Sequence, residues 1–300
     1  MAQIEESVAR YLQQLDTAGR QEPSEALQTK TSRLKDKIAK LKQQMQHLKE
    51  LRVQMLAAPD QQISLTDPDS RSMATSGRGS GVVGYNVQVA VETKHHLIIA
   101  HEVINEGSDR AQLSPMAKAA KTVLAVGKLD AVADRGYFSG EEILACDNAG
   151  VTVTLPKPMT SGMMARGRFG KQDFRYVADE DVYICPAGET LPYRYTNEED
   201  GLILRRYWTN ACQSCPIKKN CTSGKERRIT RWEHEHVLEA VQRRLDEHPE
   251  KMRQRRETVE HPFGTIKARM GATHFLMKTL PRVKGVYRAD TPQLGDEHRQ

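Results

Sequence analysis

Hydrophobic and polar positions divide the chain into four regimes. In the first, Leu34, Ile38, Leu41, Met45, Leu48 and Met55 recur at spacings of three, four and seven. That a/d seam predicts a helix from Thr31 to Ala58. Its other faces carry Lys35, Lys37, Lys40, Lys42, Lys49 and Arg52. Such a helix serves as a hairpin arm or coiled coil, or as a DNA-gripping element; the pattern allows both. Residues 1–30 are polar, Gln21-Glu22-Pro23-Ser24 breaks any long helix, and Pro59-Asp60 ends the seam.

The second regime begins at residue 61. Ile63–Asp67 reads as a short strand closed by Pro68, and Ser76–Gly81 as a flexible Gly/Ser loop. Tyr85–Glu92 alternates apolar and polar residues, Thr93–His95 is a turn, and His96–Ile104 is a further strand, so the two strands form a hairpin. Ser114 caps a helix with Pro115 at its first position and Met116, Ala119, Ala120, Val123 and Leu124 on one face. A strand at Leu129–Ala133 follows. Ser139 and Glu142 form a capping box for a short helix through Cys146, and Val151–Leu155 is another strand. Strands that first follow one another and then alternate with helices predict an α/β fold, a mixed sheet flanked by helices. The third regime, residues 157–230, holds short β-like pieces such as Asp181–Cys185 and Ile203–Thr209. After it, Trp232–Lys267 is helix-prone and basic, with Arg243-Arg244 and Arg253-Gln254-Arg255-Arg256.

Composition narrows the class. The chain has 300 residues, 38% hydrophobic, with 45 Lys plus Arg against 39 Asp plus Glu and a net charge of +6. That balance permits contact with nucleic acid or an acidic surface. No apolar run reaches the roughly 18 residues of a membrane span, and the polar N-terminus has no apolar signal core, so an intracellular protein is expected. Five cysteines, four of them in the C-terminal half, do not form the pattern of a secreted disulfide scaffold.

Three sets of residues could carry chemistry. Asp134 follows an apolar strand and precedes Arg135-Gly136-Tyr137, which would aim a carboxylate into the crevice at the C-terminal edge of a sheet. Asp67, or Asp69 two residues on, would do so from the first strand; alone, each acid also reads as a turn former. Arg256, Glu260 and Lys267 share one face of a continuous helix, although Pro262 favours a kink. Carboxylates gathered from strand ends and a helix can hold a pair of Mg²⁺ or Mn²⁺ ions against a phosphodiester. Separately, Cys212-Gln213-Ser214-Cys215, with Cys185 upstream and Cys221 downstream, matches a four-thiolate Zn²⁺ site or a set of reduced thiols. Cys146 reads as core.

Three segments together resemble the DDE transposases of bacterial insertion sequences: SLTDPDSR at 64–71, ADRGYFS at 133–139 and RRETVEHPFGTIKARMG at 255–271. Asn86 and Gln88 in GYNVQVAVE match a further segment typical of that group. The resemblance implies a ribonuclease-H-like catalytic domain at 61–156 and 231–285, interrupted by a β-rich insertion at 157–230. A helical arm at 1–60 and a disordered tail at 286–300 complete the expected plan. It implies metal-dependent cleavage and strand transfer on DNA, with Mg²⁺ or Mn²⁺ held by Asp67, Asp134 and Glu260. Arg256, Lys267, Arg253 and Arg255 would bind DNA. Transposon ends and target DNA are the implied partners, with a homo-oligomer assembled on them, no membrane, and a cytoplasmic, nucleoid-associated location. Many relatives carry Tyr where this chain has Arg253, usually begin with a longer DNA-end-binding region, and continue into an apolar helix where this chain runs through Tyr287–Gln293. Those departures imply a truncated copy, which could bind DNA without cutting it.

Overall fold

A computed structural model describes residues 2–20, 24–73, 81–158, 162, 166–271 and 273–290. The expected Gly/Ser loop falls almost wholly outside these residues. The chain divides into two compact units, residues 1–85 with 278–280, and residues 86–277 with 281–300.

The first unit is a helical hairpin followed by a short ribbon. Helix α1 spans Ala2–Gly19 and α2 spans Glu25–Ala57. Helix α2 starts earlier than its seam predicts, because Ser24 caps it by accepting from the Leu27 amide at 3.2 Å. Leu34 and Ile38 are buried, whereas Leu48, further along the same seam, is 39% exposed. The cause is length: α1 has 18 residues and α2 has 33, so α1 covers only part of its partner. Strands β1 (Arg71–Met73) and β2 (Val82–Gly84) pair antiparallel.

Residues 63–67 form no strand. Ser64 Oγ accepts the Asp67 amide, the Asp67 carboxylate accepts the Asp69 amide, and the Asp67 carbonyl accepts the Ser70 amide. These local bonds close a turn around Pro68 and leave the backbone no ladder to join.

The second unit opens with the expected hairpin, β3 (Asn86–Val91) against β4 (Ile98–Ile104). Its turn is held by Glu92, whose carboxylate accepts the amides of Lys94, His95 and Leu97. Helix α3 (Leu113–Leu124), β5 (Leu129–Val132), α4 (Gly140–Asn148) and β6 (Val151–Thr154) follow, with β5 and β6 parallel. The capping differs from expectation. Glu142 does not close a box with Ser139; its carboxylate accepts the amide of Ser114, one residue inside α3, at 2.8 Å. One acid thus ties the start of α3 to α4. Val123 and Leu124, expected on the apolar face, are exposed.

Between β6 and α5 lies an all-antiparallel sheet in the order β11-β10-β9-β8-β7, from β7 (Arg175–Val177), β8 (Val182–Ile184), β9 (Thr190–Glu199), β10 (Leu202–Tyr207) and β11 (Ile229–Trp232). It has its own core of Phe174, Tyr183, Leu191, Tyr207 and Ile229. The chain then returns: α5 (Glu235–Glu247) buries Val237 and Val241 against Leu113, Ile143, Cys146, Val151 and Val153. Cys146 is fully buried, as its place in the apolar pattern requires. The long basic helix expected over 232–267 is divided, because Trp232 ends β11 and Pro249 separates α5 from α6 (Glu250–Gly264). Helix α6 runs through Pro262 into a π-helical turn at Thr265–Arg269, the local adjustment that a missing backbone donor invites. Helix α7 (Leu280–Asp290) takes in the start of the segment expected as a tail; residues 291–300 lie outside the described residues.

The protein is therefore mixed α/β. Among the described residues β1–β2, β3–β4 and β5–β6 are separate two-stranded pairs, so the single mixed sheet predicted from the element order is not formed.

Candidate functional site

Asp134 stands where the sequence places it. Strand β5 ends at Val132, and the Ala133 amide extends the parallel ladder to the Thr154 carbonyl at 3.1 Å. Asp134 then caps the tight turn Arg135–Tyr137, its Oδ1 accepting the Gly136 amide at 2.8 Å. Its Oδ2 accepts from Arg255 Nη2, also at 2.8 Å, in an ion pair with α6. The segments ADRGYFS and RRETVE, 121 positions apart, meet in this bond.

A second carboxylate lies beside it. Asp109, in the loop before α3, accepts from Asn86 Nδ2 and Gln88 Nε2 on the same oxygen, each at 2.7 Å. Gln88, 2% exposed, in turn accepts from the Tyr137 hydroxyl. Burial raises the Tyr137 pKa, and the charges of Asp109 and Asp134 raise it further, so the phenol keeps its proton and donates. A methyl group at Gly136 would stand 3.0 Å from Asp134 Oδ1 and 3.3 Å from Asp109 Oδ2, so a side chain there would press on both carboxylates and shift them by a few tenths of an ångström. Asp109 sits in a loop, where neither periodicity nor a motif marks it. A signal existed: Asn86 and Gln88 alternate on one face of a strand, and two amide donors on a half-buried face need an acceptor.

Helix α6 presents Arg255, Thr258 and Pro262 inward; Thr258 and Pro262 are buried. Arg253, Arg256 and Glu260 are exposed. Glu260 lies about 140° around the helix from Arg255 and about 40° from Arg256. Arg253 approaches Glu257 at 3.8 Å, and Lys267 sits over the Phe263 ring at 5.5 Å in the π-helical turn. The basic pairs thus have unlike roles. Arg256 faces solvent where Arg255 holds Asp134. Arg243 is exposed where Arg244 donates twice to the Val153 carbonyl, at 3.1 and 2.8 Å.

Asp67 belongs to the other unit and is 8% exposed. Its Oδ2 accepts the Tyr85 hydroxyl at 2.7 Å; its Oδ1 accepts the amides of Thr279 at 3.1 Å and Asp69 at 3.3 Å. Asp69 Oδ2 accepts the Leu280 amide at 2.8 Å. Burial pushes the Asp67 carboxyl up, but these bonds and the Lys278 charge outweigh it and hold the pKa below 3.8. Burial raises the Tyr85 pKa, and the hydrogen bond to Asp67 and the charges of Asp67 and Asp69 raise it further.

The donor chemistry suits a hard divalent cation, but the side chains as placed do not fit one. Both oxygens of Asp67 and of Asp134 are engaged locally, and among the described residues no three His, Cys, Asp or Glu side chains are grouped to hold a metal ion. No described helix is long and apolar enough to cross a membrane. Cys185, Cys212, Cys215 and Cys221 line one pocket at the end of the five-stranded sheet.

Residues 184–287, about a third of the chain, match the family described as the transposase DDE domain. The match takes in α6 and the four pocket cysteines but not Asp67 or Asp134. No curated protein and no solved structure matches the chain. The resemblance in the motif segments and the match over 184–287 converge on one family, the DDE transposases.

Proposed function

We propose that the protein acts on DNA as a transposase, cleaving strands at insertion-sequence ends and joining the freed 3′-hydroxyl to target DNA. The observation that carries this reading is the Asp134–Arg255 pair, which brings two of the family-like segments together at the C-terminal end of a parallel strand. Ligands of α/β proteins bind at such strand ends. The exposed Arg253, Arg256 and Lys267 offer positive charge to phosphates, while Arg255 orients the Asp134 carboxylate. DDE transposase domains generally use divalent metal ions, so dependence on Mg²⁺ or Mn²⁺ belongs to the proposal. Its carboxylates are Asp67, Asp134 and Glu260, and its acting form is a homo-oligomer on DNA. The test incubates the full chain with end-bearing DNA and Mg²⁺ or Mn²⁺ and scores nicks. Nicking that survives both Asp134→Ala and Glu260→Ala refutes the assignment.

A second reading is a DNA-binding protein that does not cut. The engagement of every carboxylate oxygen of Asp67 and Asp134 in local bonds favours it. It predicts salt-sensitive DNA binding without nicking in either metal.

A further inference from the structure

We propose that Cys185, Cys212, Cys215 and Cys221 form a structural Zn²⁺ site that clasps the end of the five-stranded sheet, a site independent of the chemistry proposed for Asp134. The four thiols come from two separate stretches of chain and line a single pocket. The first stretch is the turn after β8, where Gly188 at φ +84° lets its amide reach the Cys185 carbonyl at 2.9 Å. The second comprises two successive 3₁₀ turns, Asn210–Gln213 and Lys218–Asn220, with Lys218 donating to the Cys215 carbonyl at 3.2 Å and Cys221 to the Lys218 carbonyl at 2.9 Å. Every cysteine therefore sits at or beside a tight turn, the backbone setting of zinc-binding thiolates. None of them is in a disulfide.

A second observation is independent of the sulfurs. Arg227 lines the same pocket, and its Nε is buried with no hydrogen-bond partner. Buried donors are rarely left unpaired. Four thiolates around Zn²⁺ leave a net charge of about −2, and such sites are stabilised by outer donors to the ligating sulfurs. A thiolate at this pocket would give Arg227 both an acceptor and a counter-charge, and Lys218 is a further basic residue lining it.

The third argument is mechanical. Residues 208–228 join β10 to β11 with nothing more regular than those two 3₁₀ turns. A segment that long needs a fastening, and a metal closing it to the Cys185 turn supplies one. The thiols as placed are not grouped to hold an ion. Protonated sulfurs have no reason to converge, whereas thiolates would gain Zn–S bonds of ~2.3 Å by doing so. On binding, four S–H protons leave to solvent and four S–Zn bonds form, with no change of oxidation state.

The test uses the full chain purified under reductant, and DNA cleavage is not among its readouts. Elemental analysis is expected to give one zinc per chain. Cobalt titrated into the chelated protein should give thiolate-to-metal charge transfer and tetrahedral d–d bands that Zn²⁺ bleaches. The Cys212→Ser/Cys215→Ser double variant should lose both signals, Cys146→Ala should keep them, and Arg227→Gln should bind zinc ~10- to 100-fold more weakly. Iron in place of zinc, a native disulfide among the four, or reduced thiols that give no tetrahedral cobalt spectrum would each overturn the proposal. Should the double variant fail to fold, the wild-type cobalt spectrum decides.

Discussion

Replacing Asp67 separates its structural work from any chemical role. Its carboxylate accepts three donors, the Tyr85 hydroxyl and the Thr279 and Asp69 amides, while 8% exposed. Hydrogen bonds to a charged acceptor contribute about 1.5–3 kcal/mol each, and they are not additive when they share one group. Asp67→Ala removes the acceptor from all three donors, so its expected cost is about 2–4 kcal/mol. Asn keeps the shape: its carbonyl can serve the two amides while its NH₂ donates to the Tyr85 oxygen. Asp67→Asn should therefore cost no more than about 1 kcal/mol. Trp208 and Trp232 both lie in the second unit, so tryptophan fluorescence is blind to this change. Hydrogen exchange at Thr279 is not. At 1.4 kcal/mol per tenfold, Asp67→Ala should speed its exchange roughly 30- to 700-fold, with little change in Asp67→Asn. Asp67 is also a candidate for catalysis, so nicking lost in Asp67→Asn with exchange preserved would mark a chemical role beyond the structural one. Unchanged exchange in Asp67→Ala, or equal acceleration in both variants, would mean that these three bonds do not hold the Thr279 amide. The pH dependence gives a cross-check. Because the folded pKa is held below 3.8, the stabilisation is complete above that value and is lost as pH falls through the lower, folded one.

Four further outcomes follow from the geometry. Arg231 is 6% exposed, pairs through two nitrogens with Glu239, donates to the Tyr183 hydroxyl and stacks 3.7 Å from the Tyr176 ring centre. Arg231→Lys cannot reproduce that fork and should cost about 1–3 kcal/mol, read as a lower urea midpoint. Glu235, 7% exposed, pairs with Lys171 at 2.6 Å; burial pushes its pKa up, but Lys171 and the Trp232 amide bring it below the ordinary 4.5. Glu235→Gln should be less stable at neutral pH, and the deficit should shrink as acid protonates wild-type Glu235 below that value; a gap constant with pH would contradict this. Arg253→Ala with Arg256→Ala should weaken DNA binding and flatten the salt dependence by ~1–2 in slope, measured by anisotropy. Arg244→Ala should leave that slope alone and lower the melting temperature, since Arg244 serves the Val153 carbonyl.

Local patterning alone located several parts of this protein. Alternation over 85–104 wrote the β3–β4 hairpin, and the apolar run ending at Ala133 placed Asp134 at a strand terminus. A period of 3.6 residues marked α2, and the density of β-like pieces marked the region that becomes the five-stranded sheet. All of these depend on neighbours a few positions away, where periodicity, proline and glycine act directly on φ and ψ. Which partner each polar group takes was settled by long-range packing alone. Glu142 left its own capping box for the Ser114 amide, Ile63–Asp67 gave up a ladder for side-chain bonds, and Arg255 rather than Arg256 reached Asp134. Asp109 emerged beside Asp134 because two strand amides sought an acceptor. Buried donors and acceptors must pair, and several candidates compete for each; only the folded chain brings the rivals within three ångströms and lets the best-aligned one win.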